Sequence, residues 1–179
     1  MRIFILLLIC CFCFTIPAFS QNAVMEIKTG KSSGVIIPAR EAPQWENIWK
    51  LPCKNAKVSY WTPAKEDVLK AEAALYNYLK AETPKLIAPN AYENMGMKDY
   101  GKIWEQLDSY KRQYVGIVIN NRKKIYFNCF AKWVIVGDDW KTEPTFPDVQ
   151  GGGIYQIQLS YDMTTSSFEK LYIKNGGPY

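Results

Sequence analysis

Few side chains of this 179-residue chain are of types that do chemistry, and the most informative feature is an absence, since the sequence contains no histidine. That removes the usual general base, the usual partner of a nucleophilic serine or cysteine, and the commonest metal ligand. Of the five cysteines, Cys10, Cys11 and Cys13 fall in an apolar N-terminal run, which leaves Cys53 and Cys129 in the body of the chain. As a nucleophile either would need a base that the chain does not offer, and two cysteines alone do not complete a zinc site. In an oxidising compartment an even pair points to a Cys53–Cys129 disulfide, which would close a long loop and add on the order of 4 kcal/mol in the chain-entropy description. The alternative is a buried thiol at Cys129 and a loop thiol at Cys53.

The only adjacent carboxylates with a catalytic look are Asp138 and Asp139, and on an extended chain neighbouring side chains point apart instead of flanking a substrate. Glu143 and Asp148 lie close enough to suggest an oxygen cluster for calcium, but the spacing does not follow an EF-hand loop. Gly151-Gly152-Gly153 leads into a β-patterned stretch rather than a helix, so it reads as a bulge or tight bend and not as a phosphate cradle. Neither a catalytic site, nor a metal, nor a cofactor is expected.

The elements that must position any remaining functional surface begin after residue 20. Arg2, the apolar run Ile3–Phe14, Pro17 and the small-x-small Ala18-Phe19-Ser20 form a signal-peptide pattern with cleavage after Ser20, which predicts a secreted or periplasmic protein. None of the three leader cysteines follows a small residue, so lipid attachment is not expected, and no later stretch is long and apolar enough to span a membrane. The formal net charge of +5 is spread along the chain, apart from Arg122-Lys123-Lys124, and carries no basic stripe for nucleic acid.

Residues 21–61 read as an N-terminal arm: a hairpin or loose segment around Gly30 and Gly34, then Trp45, Ile48 and Trp49 at helical spacing. Residues 62–179 read as one domain. Thr62 as N-cap, Pro63 at the first helical position and Glu66 and Asp67 in the first turn start a helix. It runs to about Glu82 with Val68, Ala71, Leu75, Tyr78 and Leu79 on one face, and Pro84 is expected to block its continuation. A shorter helical pattern covers Lys98–Ser109. From Tyr114 the period becomes two, through the Asn120-Asn121 turn and out along Ile125 to Val136; Tyr155–Tyr161 and Phe168–Ile173 repeat the pattern. The expectation is an α+β fold, an amphipathic helix on a four-stranded antiparallel meander.

That element order resembles the cystatin-like fold over residues 62–175. Tyr114-Val115-Gly116-Ile117, Gln150–Gly153, Tyr161-Asp162 with Phe168, and Asn175-Gly176 look like stretches of poorly characterised small secreted bacterial proteins, and no activity comes with that likeness. The cystatin Gln-x-Val-x-Gly hairpin has its nearest counterpart in Gln113-Tyr114-Val115-Gly116, one residue short and at the start of a strand, so protease inhibition is not carried over.

With Val115, Ile117, Phe127, Trp133, Tyr155, Ile157, Leu159, Leu171 and Ile173 assigned to the helix side, the opposite face would show Tyr126, Asn128, Phe130, Lys132, Gln156, Gln158, Lys170 and Tyr172. Rings with amides and ammonium groups suit a protein interface. The expected function is a non-catalytic exported module that engages a protein partner, of inhibitor or immunity type, through this open face and the loop carrying Trp140. The alternatives are that residues 21–50 cover the face, or that a small apolar or sugar-like ligand sits between helix and sheet against Trp104, Trp133 and Tyr78.

Overall fold

The computed structural model describes residues 23–44, 57–88, 101–134, 137–145 and 153–173; the expected leader, Trp45, Ile48, Trp49, Cys53, Asp148 and Gly151-Gly152 lie outside them. Its centre is a hairpin of two ten-residue strands, β4 (Tyr110–Ile119) and β5 (Arg122–Ala131), numbered here in chain order after three strands described below. Asn120 and Asn121 take φ of 51° and 61°, the left-handed conformation that a tight two-residue hairpin demands and that asparagine tolerates.

A two-residue turn also fixes register. Ile119 pairs with Arg122, and therefore Tyr114 pairs with Phe127 and Val115 with Tyr126. Even-numbered residues of β4 thus share a face with odd-numbered residues of β5. Tyr110 and Tyr114 accordingly lie with Phe127 and Cys129 in the core under the helix, while Val115 and Ile117 lie with Tyr126 and Phe130 in a second core on the far face. This corrects the expectation that Val115 and Ile117 face the helix.

Two further strands, β6 (Gln156–Asp162) and β7 (Ser167–Ile173), complete the meander. Asp162 holds their connection, since its Oδ1 accepts the Thr164 and Thr165 N–H groups at 2.8 and 3.1 Å while Oδ2 meets Arg122 at 2.6 Å. Burial opposes the charge on Asp162, but those N–H groups and the neighbouring cations outweigh it and hold the carboxyl below its ordinary value. In β7 the register shifts opposite Leu159, with Lys170 at φ 60°, so that Phe168 and Ile173 both reach the helix-facing core despite their unlike parity.

Among the described residues the sheet has seven strands rather than the expected four. The supposed arm supplies β1 (Met25–Thr29), β2 (Ser32–Ile37) and β3 (Val58–Trp61), giving the order β1-β2-β4-β5-β6-β7 with β3 also on β4. The outer edge of β4 is divided: residues 112–115 pair in parallel with β2, and residues 116–119 pair antiparallel with β3. All other pairings are antiparallel. The apolar Val35-Ile36-Ile37 is therefore a strand buried on both faces, which explains why it shows no alternation.

Helix α1 (Lys65–Leu86) lies on one face of the sheet and buries Val68, Ala71, Leu75 and Leu79 there, close to the expected stripe. Its ends differ from expectation. Ala64 is the N-cap residue and its N–H is taken by Asp67 Oδ2 at 3.3 Å, while Thr62 Oγ1 instead accepts the Ala39 N–H at 3.0 Å. Pro84 sits inside the last turn, and the helix closes with the Ile87 N–H on Thr83 O at 2.9 Å. The Lys98–Ser109 pattern appears as a 3-10 turn over Ile103–Ser109, with Lys98–Tyr100 outside the described residues.

Gly116 sits where β3 crosses closest to β4, and a Cβ there would collide with the backbone oxygen of Trp61. Because backbone cannot swing aside as a side-chain tip can, Gly116→Ala is expected to push β3 off the sheet and lower stability by about 3 kcal/mol in urea unfolding. Unchanged stability would contradict the described pairing.

Candidate functional site

Two buried polar clusters occupy the two faces of the sheet, and both are anchored on β4. On the helix side, Arg112 is among the largest fully buried side chains, directly opposite Cys129 in register. Its Nε lies 3.3 Å from Glu72 Oε1 on α1, one terminal nitrogen donates to Thr29 Oγ1 on β1 at 2.9 Å, and the other donates to Leu107 O of the 3-10 turn at 2.8 Å. Tyr114 donates its hydroxyl to the same Glu72 oxygen at 2.8 Å. One guanidinium therefore ties helix, sheet and turn together. Removing one member of such a pair would strand the other charge in the interior, at a cost of roughly 3–5 kcal/mol.

Burial pushes the Glu72 carboxyl up, with Arg112 and then the Tyr114 hydroxyl pulling it back. Desolvation works against the Arg112 charge too, yet Glu72 and the other groups around it outweigh that and hold it above its ordinary value. Burial, followed by the Glu72 charge, lifts the Tyr114 phenol well above 10, and burial pushes the Cys129 thiol up to about 12. At neutral pH Arg112 is charged beside a protonated phenol and a protonated thiol, all three buried, with the Glu72 carboxyl at the less deeply buried end of the cluster. It braces the fold and offers no nucleophile.

The next residue, Gln113, points to the far face. Its Nε2 donates to Trp140 O and, at 2.7 Å, to Glu143 O, while its Oε1 accepts from Asn128 Nδ2 at 2.9 Å and from the Thr145 N–H at 3.3 Å. Asn128 also donates to Thr145 O at 2.8 Å, and its Oδ1 accepts from Gln156 at 2.8 Å and Gln158 at 3.3 Å. A row of four amides from β4, β5 and β6 thus crosses the sheet and grips the backbone of the segment Gly137–Thr145. Beside the row, Trp140 packs edge-on to Phe130 at 6.0 Å between ring centres, with Lys111 Nζ 4.8 Å from the indole. Val35, Ile37, Ala42, Val115 and Ile117 complete this apolar patch.

The structure places the expected partner-binding residues differently from an open face. Tyr126, Asn128, Phe130, Gln156 and Gln158 do lie together on the far side, but each is at most 1% exposed. Trp140, expected beside the face, lies on it and is itself buried, so the face is covered by the chain's own loop rather than open. Tyr172 is half-buried opposite Gln158, Lys170 is exposed on the β7 bulge, and Lys132 leaves the strand in a 3-10 turn where its ammonium meets Asp108 O and Lys31 O. Cys129 is a free buried thiol, and Cys53 lies outside the described residues.

The residues expected to line a helix–sheet pocket do not form one wall. Trp104 is packed into the helix-side core and Tyr78 stacks against Phe168 at 5.2 Å, whereas Trp133 is 51% exposed and meets Tyr155 edge-on at 6.2 Å. Asp138 and Asp139 are exposed, and the described residues hold no cluster of three metal-ligating side chains. Sequence reasoning missed Glu72, Arg112 and Gln113, because Tyr110–Gln113 reads as a polar approach to the strand; the two-asparagine turn was the signal that would have placed them. Comparison with protein-family models, curated proteins and solved structures gives no match.

The thiol offers a direct check. In a Cys53→Ser chain lacking residues 1–20, native Cys129 is expected to resist iodoacetamide for hours at pH 8, where a value of about 12 leaves about one thiolate in ten thousand, and to label fully in denaturant. Because the folded value lies above the unfolded one, the stabilising contribution is complete below about pH 9 and is lost as pH rises toward 12, so Cys129→Ala should soften the alkaline fall in stability. Rapid native labelling would contradict the sealed cluster.

Proposed function

We propose that this chain is an exported, non-catalytic binding module that engages a protein partner of inhibitor or immunity type through the far face of its sheet. The observation that carries the reading is the amide row. Interior sheet faces are ordinarily filled with apolar side chains, because burying an amide costs free energy unless every group finds a partner. Here Gln113, Asn128, Gln156 and Gln158 form the middle of such a face, next to Tyr126 and Phe130. Aromatic area with directional amides is the composition of a recognition surface.

Other features agree. Of the groups with most reactive potential, Arg112, Tyr114 and Cys129 are buried and Glu72 is engaged by the first two, which suits a scaffold better than an enzyme. Helix α1 followed by the β4–β7 meander supports a cystatin-like core, here widened by β1–β3. The leader pattern of residues 1–20 supports the reading of an exported module, periplasmic or secreted, and no helix of the described residues is long and apolar enough to cross a membrane.

Expressed in full length, the chain should be recovered from the exported fraction beginning at Gln21. Immobilised, that mature chain should retain one protein in about equimolar amount from an envelope extract, and Tyr172→Ala at the half-buried rim of the face should weaken retention at least about tenfold while leaving the circular dichroism unchanged. Recovery of no stoichiometric protein from extracts of its own source and of competing cells would overturn the reading.

A further inference from the structure

The segment Gly137–Thr145 is held on the sheet in the way a bound peptide is held. Its side chains contribute a single buried anchor, the Trp140 ring against Phe130 and Lys111, while Asp138, Asp139, Thr142 and Glu143 are exposed. Apart from that ring and a half-exposed ion pair from Lys141 Nζ to Glu26 Oε1 on β1 at 3.0 Å, what fixes it is mainly backbone: Trp140 O, Glu143 O and Thr145 O accept from Gln113 and Asn128, and the Thr145 N–H donates to Gln113. Fixed amides bonded to its backbone, with one aromatic side chain packed on Phe130, hold the 3-10 turn Asp139–Lys141 while placing few demands on its other side chains.

Two details show how the segment differs from ordinary core. Gly137, at its start, has φ 80° with open space around it, so the chain can pivot there without collision. Along the same amide row, Gln156 Oε1 is buried with no partner among the described residues, and Ser160 Oγ on the same strand face is in the same condition. The closed arrangement leaves acceptors that the segment does not reach, and unpaired buried polar atoms are expected where a surface is shaped for something else as well.

We propose that Gly137–Thr145 is an intramolecular stand-in for a ligand: it occupies a peptide-binding groove formed by Gln113, Asn128, Phe130 and Lys111, and is displaced by a turn-forming segment of a partner protein that carries an aromatic residue. The inference rests on the partner-binding reading above and specifies how the covered face becomes available. The Trp140 ring, set against Phe130 with Lys111 Nζ 4.8 Å from the indole, indicates that an electron-rich aromatic residue fits best. The tethered segment competes with any ligand, so apparent affinity falls by the fraction of molecules that are closed.

The test uses the segment itself as probe. A fluorescently labelled peptide of residues 137–145 is titrated into the mature chain and into its Trp140→Ala variant, and anisotropy is read. The variant should bind the peptide saturably and at least about tenfold more tightly than the unaltered chain, and a peptide with the tryptophan replaced by alanine should lose that binding. Equal binding to both proteins, or none to a folded variant at millimolar peptide, would overturn the proposal. Should Trp140→Ala not fold, hydrogen exchange on the unaltered chain decides: the Lys141, Thr142 and Glu143 amides, bonded only within the segment, should exchange at least about a hundredfold faster than those in the middle of β5. Exchange of those amides only with global unfolding would overturn the proposal while leaving the envelope-extract result to stand or fall separately.

Discussion

Successive residues of a strand point to opposite faces, and Arg112 and Gln113 are successive residues near the middle of the sheet. From that single alternation the molecule acquires its two anchors. Arg112 gathers α1, β1 and the 3-10 turn on one side through Glu72, Thr29 and Leu107, while Gln113 gathers the 137–145 segment on the other through Trp140, Glu143 and Thr145. A slip of one residue in the β4–β5 register would exchange the two, setting a guanidinium among backbone carbonyls with no carboxylate and an amide beside an unpaired Glu72. The interior would then hold an uncompensated charge, which is far costlier than any mispacked methyl group. The polar residues therefore specify register more sharply than the apolar ones around them, since both faces of β4 are apolar enough to be buried either way.

The two anchors differ in what they permit. The Glu72–Arg112 pair joins α1 to β4, and the same guanidinium bonds β1 and the 3-10 turn, so it moves only with those elements. The amide network is built of neutral hydrogen bonds to the backbone of one short segment, each with a net contribution of about 1 kcal/mol, plus one indole ring. Neutral amides exchange partners at little cost when the replacement presents similar backbone groups, whereas a buried ion pair does not. Placing a charge on one side of β4 and an amide on the other thus gives the sheet one face braced through a guanidinium and one face covered through neutral hydrogen bonds.

Much of this was legible in the sequence. The stripe Val68, Ala71, Leu75 and Leu79 marked the helix and its buried face, and the alternation from Tyr114 onward marked the meander. Three things were not. Val35-Ile36-Ile37 shows no alternation because β2 is buried on both faces, so a strand in the middle of the sheet looked like part of an arm. Tyr110-Lys111-Arg112 shows no strand alternation, because the polar side chains at this end of β4 are satisfied by partners up to 83 residues away in sequence, which no local pattern records. The assignment of Val115 and Ile117 to the helix side ignored that a two-residue turn pairs odd with even positions, a constraint fully present in Asn120-Asn121. The covering of the far face by Trp140 lay beyond any periodicity, because a 3-10 turn within a loop has no pattern of its own to read.

The opposed anchors are most directly tested by nuclear Overhauser contacts in the isotope-labelled mature chain. The account predicts that the Gln113 side-chain amide protons contact the Trp140 and Thr145 resonances, while the Arg112 guanidinium protons, slowed by burial, contact Tyr114 and Leu107 on the other face. Gln113 amide protons that contact residues of α1, or an Arg112 guanidinium exchanging freely with water, would contradict it.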